Sequence, residues 1–199
     1  MRIVGRISAC VVLFAAPLLA QARMEAGEAA AGATGPAFEA SLGYVYFSMA
    51  TPSQRVGLTG LDANGLVRFD SRWAATVDST YAGTGNVLGT GHSGNVLSCL
   101  AGPVFYPAHG KAGIFVHALA GASWVDSAVP ITGTYYLGGW ITRFSYAVGG
   151  GVEHYLSGPL AVRAQADYQR TTFANPTGAA QNQNNLRLTT SLVYRFGNR

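Results

Sequence analysis

The sequence predicts an all-β protein, an eight-stranded antiparallel up-and-down transmembrane β-barrel. Hydrophobic residues make up 49% of its 199 residues and charged residues only 11%, whereas a soluble domain carries about 25% charged residues. The longest apolar run, residues 9–20, is nevertheless shorter than the roughly 20 residues that a membrane helix needs. An apolar chain without such a helix can still cross a bilayer as a closed barrel of strands with alternating faces.

The N-terminal segment has the features of an export signal. Two arginines precede a mostly apolar core at residues 7–19, and Ala20-Gln21-Ala22 forms an A-x-A cleavage site. We therefore predict a signal peptide over residues 1–22, with Ala20 and Ala22 defining the cleavage site.

The mature chain is expected to begin with a flexible leader, followed by a single barrel domain. Residues 23–36 are rich in Ala and Gly, which favours a flexible segment. The barrel is assigned to residues 37–197. After signal cleavage Cys99 is the only cysteine, so an intrachain disulfide is excluded.

From residue 37 onward the dominant sequence period is two. In the last predicted strand Leu188 and Leu192 share one face, and Arg187 and Ser191 share the other. The same alternation occurs in residues 38–46, 61–69, 73–81, 144–153, 160–169 and 186–196. Two further runs, 95–106 and 112–124, are apolar in both phases, so their faces stay unassigned. Together these segments predict eight strands.

The predicted connections alternate between short and long. Short turns are predicted at Asp70–Arg72, Pro107–Lys111 and Ser157–Pro159. Long loops are predicted at 48–56, 82–94, 125–141 and 170–184. Short periplasmic turns and longer external loops are typical of outer-membrane barrels. A secreted soluble eight-stranded barrel that binds a small ligand has the same period, but buries its apolar face.

Aromatic and charged residues favour the membrane orientation. Large aromatic residues lie at the ends of the apolar face: Phe38, Tyr46, Phe69, Trp73, Tyr81, Tyr168, Tyr194 and Phe196. Two aromatic levels around an aliphatic band are typical of a membrane-spanning barrel. The polar face mixes acids with arginines, which predicts an interior charge network of Arg68, Asp78, Glu153, Arg163, Asp167 and Arg187.

One register follows from a symmetric turn at Ser157–Pro159. Such a turn places Glu153 directly opposite Arg163, and His154 opposite Val162. Because Glu153 and Arg163 fall on the polar face, we predict an ion pair between them inside the barrel.

Three segments resemble outer-membrane-protein-A-like β-barrel domains. They are GLTGLDANGLVRF (57–69) followed by a turn and Trp73, GGGVEHYLSGPLAVRAQADYQRT (149–171), and SLVYRFG (191–197). The resemblance covers residues 38–197 and implies the eight-stranded barrel fold and an outer-membrane location. It also implies that Tyr194 and Phe196 form the aromatic C-terminal signal read by the outer-membrane assembly machinery. Many members end on the aromatic residue, whereas three residues follow Phe196 here.

Catalytic residues are not evident in the sequence. A His and a Ser acting together on one strand should share a face, but His92 and Ser93 are adjacent, and His154 and Ser157 are three residues apart. A lipid-A-modifying outer-membrane enzyme therefore ranks as the second alternative, behind the soluble barrel.

The predicted function is an integral outer-membrane barrel with a structural or surface-interaction role. We expect it to be non-catalytic, with an interior plugged by side chains and with no catalytic, cofactor-binding or metal-binding residue. Its expected partners are outer-membrane lipids, the assembly machinery and an unidentified extracellular ligand at the long loops, and no nucleic acid.

Overall fold

A computed structural model describes most of the predicted barrel. The described residues are 37–50, 54–89, 91–108, 112–127, 129–132, 135–137, 140–174 and 180–196. The predicted signal peptide, its cleavage site at Ala20 and Ala22, and the predicted leader at 23–36 lie outside them. Within the described ranges, no helix is long and apolar enough to cross a membrane.

Strands account for nearly all of the described chain. They are β1 (Ala37–Ala50), β2 (Arg55–Arg68), β3 (Trp73–Thr84), β4 (Gly94–Ala108), β5 (Ala112–Ser127), β6 (Val129–Thr132), β7 (Tyr135–Leu137), β8 (Trp140–Tyr155), β9 (Leu160–Ala174) and β10 (Ala180–Phe196). A short 3-10 helix, Val87–Gly89, lies between β3 and β4.

Eight of these strands close into a barrel, in the order β1-β10-β9-β8-β5-β4-β3-β2. Every neighbouring pair is antiparallel, and β1 closes the barrel by pairing with β10, with Leu42 opposite Leu192. The remaining strands, β6 and β7, form a separate hairpin inside the β5–β8 connection. The predicted fold class and the predicted number of barrel strands are therefore confirmed.

The two ends of the barrel differ in their connections. We call the end with the tight connections at residues 69–72 and 156–159 the turn end, and the opposite end the loop end. Gly158, with a φ of 58°, lies in the second of these turns, where a left-handed conformation favours glycine.

The strands extend farther toward the loop end than predicted. The external connections are residues 51–54, 85–93, 128–139 and 175–179, each shorter than the predicted loop. Residues 180–185, predicted as loop because they are Ala, Gln and Asn, pair with β9 instead. Backbone hydrogen bonds hold this part of the strand, so apolar alternation is not needed there.

The predicted turn at Pro107–Lys111 also begins too early. Pro107 lies inside β4, next to a shift in the β4–β5 register between Phe105 and Ala108. Proline lacks the amide hydrogen needed for a regular ladder and is tolerated at such irregularities. Residues 109–111 lie outside the described part of the chain.

The structure assigns the faces of the two strands that are apolar in both phases. In β4 the side chains of Ser98 and Leu100 are buried inside the barrel, and Ala101 faces outward. In β5 Phe115 and His117 point inward. The sequence period does not distinguish the two faces of these strands, because part of the interior is itself apolar.

Aromatic residues form two outward-facing levels, as predicted. At the turn end the rings of Trp73 and Phe105 are 4.9 Å apart, and those of Tyr194 and Phe196 are 4.7 Å apart. Toward the loop end the Tyr81 hydroxyl donates to Asn95 Oδ1 at 3.0 Å. Tyrosine with one apolar side and one hydrogen-bonded hydroxyl suits a membrane–water interface.

Glycines in β8 make room for the interior. A Cβ at Gly151 would lie 2.9 Å from Cζ of Phe115, and a Cβ at Gly149 would overlap Asp167. These glycines therefore relieve crowding inside the barrel. Because these glycines carry no side chains, side chains of β5 and β9 can approach each other.

Candidate functional site: the charged interior

The first charged group inside the barrel, which we call the turn-end cluster, contains five residues from five strands. They are Glu39, Arg68, Glu153, Arg163 and Arg195. Arg163 Nε donates to Glu153 Oε1 at 2.9 Å, and its Nη2 lies 2.9 Å from Glu39 Oε2. Arg68 bridges the same two acids, at 2.8 Å from Glu39 and 3.1 Å from Glu153.

Arg195 is the third cation of the turn-end cluster. Its Nε lies 3.1 Å from Glu39 Oε1 without the alignment of a hydrogen bond, and its Nη2 is 3.5 Å from Glu153 Oε2. Three guanidinium groups thus share two buried carboxylates. Each acid keeps more than one cationic neighbour, so the cluster has redundant pairing.

Aromatic rings lie close to two of these guanidinium groups, and the Phe115 ring centroid is 5.4 Å from the third, that of Arg163. The Arg68 guanidinium lies 3.8 Å from the Tyr106 ring centroid, and that of Arg195 lies 3.7 Å from the Tyr155 ring centroid. Such stacking suits arginine, whose planar group is weakly hydrated. The Tyr106 hydroxyl is buried without a hydrogen-bond partner among the described residues.

The second charged group, which we call the central cluster, surrounds Arg187. Its other members are Asp62, Asp78, His117 and Asp167. Arg187 is fully buried, donates from Nε to Asp167 Oδ2 at 2.8 Å, and forms an ion pair with Asp78. Its Nη1 is 3.9 Å from Asp62 Oδ2. One arginine therefore serves three carboxylates.

His117 and Thr80 complete the hydrogen bonds of the central cluster. His117 Nε2 lies 2.7 Å from Asp167 Oδ1. Thr80 donates to Asp62 Oδ2 at 2.8 Å and accepts from Arg187 Nη1 at 2.8 Å. A buried carboxylate needs such partners, because an unpaired one is costly.

Toward the loop end the interior becomes neutral. Gln169 Nε2 lies 3.0 Å from Ser98 Oγ and 3.2 Å from the hydroxyls of both Ser123 and Ser145. Beyond it lies an apolar cluster of Val45, Phe47, Met49, Val56, Leu58, Ala82, Val87, Val96 and Val125. Val87 belongs to the 3-10 helix, so the β3–β4 connection contributes to this apolar end of the interior.

The structure places all six residues of the predicted charge network inside the barrel. It divides them between two clusters: Arg68, Glu153 and Arg163 in one, and Asp78, Asp167 and Arg187 in the other. Glu153 lies directly opposite Arg163, and His154 opposite Val162, which is the register expected from a symmetric turn.

Sequence reasoning did not identify His117 as an interior residue. Its strand is apolar in both phases, and only the pairing of His117 with Gly149 and the contact with Asp167 show its position. The alternation along β9 predicts that Asp167 faces the interior. The sequence of one strand does not show which residue of β5 contacts it.

Tyr194 and Phe196 lie at the end of β10 and face outward. This position fits a signal that is accessible on the barrel surface, although their role in assembly stays a prediction. Within the described ranges, no group of three or more His, Cys, Asp or Glu side chains is arranged to hold a metal ion.

Comparison with known proteins gives structural likeness only. No protein-family model matches the chain, and no curated protein matches it in sequence. Neisserial surface protein A is 12% identical with a TM-score of 0.65, over 80% of this chain and 99% of that one.

Two other solved structures have the same architecture. Ail, the attachment invasion locus protein of Yersinia pestis, solved in complex with the heparin analogue sucrose octasulfate, is 15% identical with a TM-score of 0.54, over 81% of this chain and 99% of that one. A major outer membrane protein from Thermus thermophilus is 9% identical with a TM-score of 0.56, over 81% of this chain and 100% of that one. This chain therefore has the fold of the eight-stranded outer-membrane β-barrels, as the resemblance implied.

Proposed function

We propose that the protein is an integral outer-membrane β-barrel with a structural or surface-interaction role. The observation that carries this proposal is the inverted distribution of polarity. Leu42, Leu61 and Leu192 are 62%, 61% and 52% exposed on the outer surface, whereas Glu153 and Arg187 are fully buried inside. A soluble barrel has the opposite arrangement, so lipid is the medium that fits this surface.

The interior supports a closed barrel without catalysis. Ion pairs lie at the turn end and in the centre, and apolar side chains lie at the loop end. Eight strands enclose a space that side chains can fill, which favours a plugged interior over a diffusion pore. On the outer surface His154 lies between Ala112 and Val162, with neither a serine nor an acid directly opposite. This environment does not favour a lipid-modifying enzyme.

Lipids and the assembly machinery are the partners that follow from this proposal. The apolar outer surface requires lipid contact, and the outward aromatic residues at the end of β10 offer the machinery an accessible terminal strand.

Membrane fractionation with a heat-modifiability gel tests the proposal. The protein should sediment with the outer membrane, and its folded form should migrate differently before and after boiling, because a closed barrel resists detergent. Recovery in the soluble fraction, with one mobility under both conditions, would favour the secreted soluble barrel.

A second candidate function is recognition of an external ligand. The β6–β7 hairpin, formed by Val129–Thr132 and Tyr135–Leu137, is extra to the barrel and interrupts its longest connection. We propose it as the recognition element, and the heparin analogue bound to Ail provides a first probe. Calorimetric binding of sucrose octasulfate that disappears when residues 129–137 are replaced by a Gly-Ser linker would support this role. Absence of binding to the parent protein would exclude sucrose octasulfate as a ligand.

A further inference from the structure

Positive charge is concentrated on one side of the barrel at its loop end. Strands β8, β9, β10, β1 and β2 are consecutive around the barrel. Arg143 lies on β8, Arg170 on β9 and Arg55 on β2, all near the external ends of their strands. Arg55 and Arg143 are exposed, and Arg170 is half-buried on the outward face.

Among the described residues, no acid lies beside Arg55 or Arg170. Of the nine acidic residues in the chain, five are buried inside the barrel: Glu39, Asp62, Asp78, Glu153 and Asp167. The sequence has no Asp or Glu after Asp167 and none between Asp126 and Glu153. Asp126 lies on β5, opposite Trp140, and is separated from Arg170 by the whole of strand β8. The described strands thus supply no counter-charge for these arginines, and an external anion can do so.

Asn184 joins the two arginines on the outer surface. Arg170 is its direct partner across β9 and β10. Arg55 Nη2 donates to the Ser48 backbone oxygen at 2.9 Å and to the Asn184 backbone oxygen at 3.3 Å, and its Nε donates to Ser48 Oγ at 2.8 Å. Asn184 Oδ1 accepts from the Tyr168 hydroxyl at 2.7 Å, and its side-chain amide nitrogen has no acceptor among the described residues. The surface between the arginines thus offers N–H donors.

Tyrosines place this surface at the depth of lipid headgroups. Tyr146 is the direct partner of Arg170 on β8, and Tyr168 is two residues away on the same face of β9. Tyrosine side chains concentrate at the boundary between hydrocarbon and water. Beside that boundary, the chemistry complementary to a guanidinium group is a phosphate, which arginine binds with two parallel hydrogen bonds.

We propose that Arg170 and Arg55, on either side of Asn184, bind the phosphate groups of an anionic lipid in the outer leaflet. This site rests on the proposed function, because it requires that lipid surrounds the barrel. It adds a specific headgroup chemistry and a specific side of the barrel to the general expectation of lipid contact.

The test is the preference of the inserted protein for a phosphate-bearing lipid. The protein is refolded into phosphatidylcholine vesicles with trace spin-labelled phosphatidic acid or spin-labelled phosphatidylcholine, and the relative association of the two labels is measured. The variants are Arg170→Gln and the double variant Arg55→Gln with Arg170→Gln. Arg72→Gln, in the exposed turn at the opposite end, is the matched control. The single Arg170→Gln variant leaves the Arg55 contacts with β1 and β10 intact.

The site predicts a preference for phosphatidic acid that falls about fivefold for each arginine removed and is unchanged in Arg72→Gln. No preference in the parent protein, or an equal loss in Arg72→Gln, would overturn it. Excess inorganic phosphate at constant ionic strength should reduce the preference, because it competes for the same guanidinium groups, and a preference that it leaves unchanged would also overturn the phosphate site. Insertion is scored separately by heat modifiability, so a protein that never inserts contradicts the proposed function, and the lipid site with it.

Discussion

The two charged clusters inside the barrel both pair buried acids with arginines, but their ratios of arginines to acids are opposite. The turn-end cluster has three arginines for two acids, whereas the central cluster has one arginine for three acids. The first leaves every carboxylate with alternative partners. The second has a single arginine, Arg187, which all three carboxylates share. We expect redundancy among the neighbouring groups, in addition to burial, to determine how much each ion pair contributes to stability.

His117 is a further partner for the acids of the central cluster. The five interior acids exceed the four interior arginines by one formal negative charge. His117 Nε2, at 2.7 Å from Asp167 Oδ1, gives this carboxylate a partner besides Arg187. The five residues of the turn-end cluster include no histidine, which is a second difference between the two.

Removal of Arg187 should have the largest effect. Arg187→Met leaves three buried carboxylates without their shared cation, so the free energy of unfolding should fall by about 3–5 kcal/mol. Reversible urea unfolding in lipid vesicles measures this loss, with Arg72→Met at the exposed turn as control. Adding Asp78→Asn should restore part of the stability. A loss under about 1 kcal/mol would contradict the dependence of this cluster on one arginine.

Removal of Arg163 should cost less, although Arg163 is also buried. Arg68 remains 2.8 Å from Glu39 and 3.1 Å from Glu153, and Arg195 stays near both acids. We expect Arg163→Met to lower the free energy of unfolding by about 2 kcal/mol in the same assay. An effect equal to that of Arg187→Met would remove the distinction between redundant and single pairing.

A double-mutant cycle measures the coupling free energy of the predicted pair. Glu153→Gln and Arg163→Met should couple by more than about 1 kcal/mol, because the two groups are hydrogen-bonded in the buried interior. The cycle compares four unfolding free energies under identical conditions. Additive losses would mean that the other arginines fully replace Arg163.

Tyr106 should give the smallest effect. Tyr106→Phe keeps the ring that lies over Arg68 and removes a buried hydroxyl that has no hydrogen-bond partner among the described residues. The free energy of unfolding should therefore stay within about 0.5 kcal/mol of the parent or rise slightly. A loss above about 1 kcal/mol would show that the hydroxyl has a partner such as water.

The sequence predicts most of the fold because a barrel strand with one polar face has a period that is visible locally. The alternation along each strand is enough to predict that Arg163, Asp167 and Arg187 face the interior. The register that pairs Glu153 with Arg163 follows from one tight turn. Where the interior is apolar, as at Phe115 and Leu100, the two faces look alike and period gives no assignment.

The division of the interior into two clusters could not be predicted. It depends on the stagger between strands and on the closing pair of β1 with β10, which joins residues far apart in sequence. Arg187 and Asp78 meet across the barrel, on strands that are not neighbours. The extension of β10 to Ala180 was missed because its Gln and Asn residues resemble a loop.

The central claim, that the apolar outer surface meets lipid, can be tested at Cys99. This free cysteine lies on the outward face of β4, opposite Ser79 of β3. A nitroxide attached to it in vesicles should collide readily with oxygen, which dissolves in lipid, and rarely with a water-soluble nickel chelate. A label at Ser71→Cys in a Cys99→Ser background should show the reverse. Free access of the nickel chelate to the Cys99 label in the folded protein would contradict a lipid-facing surface.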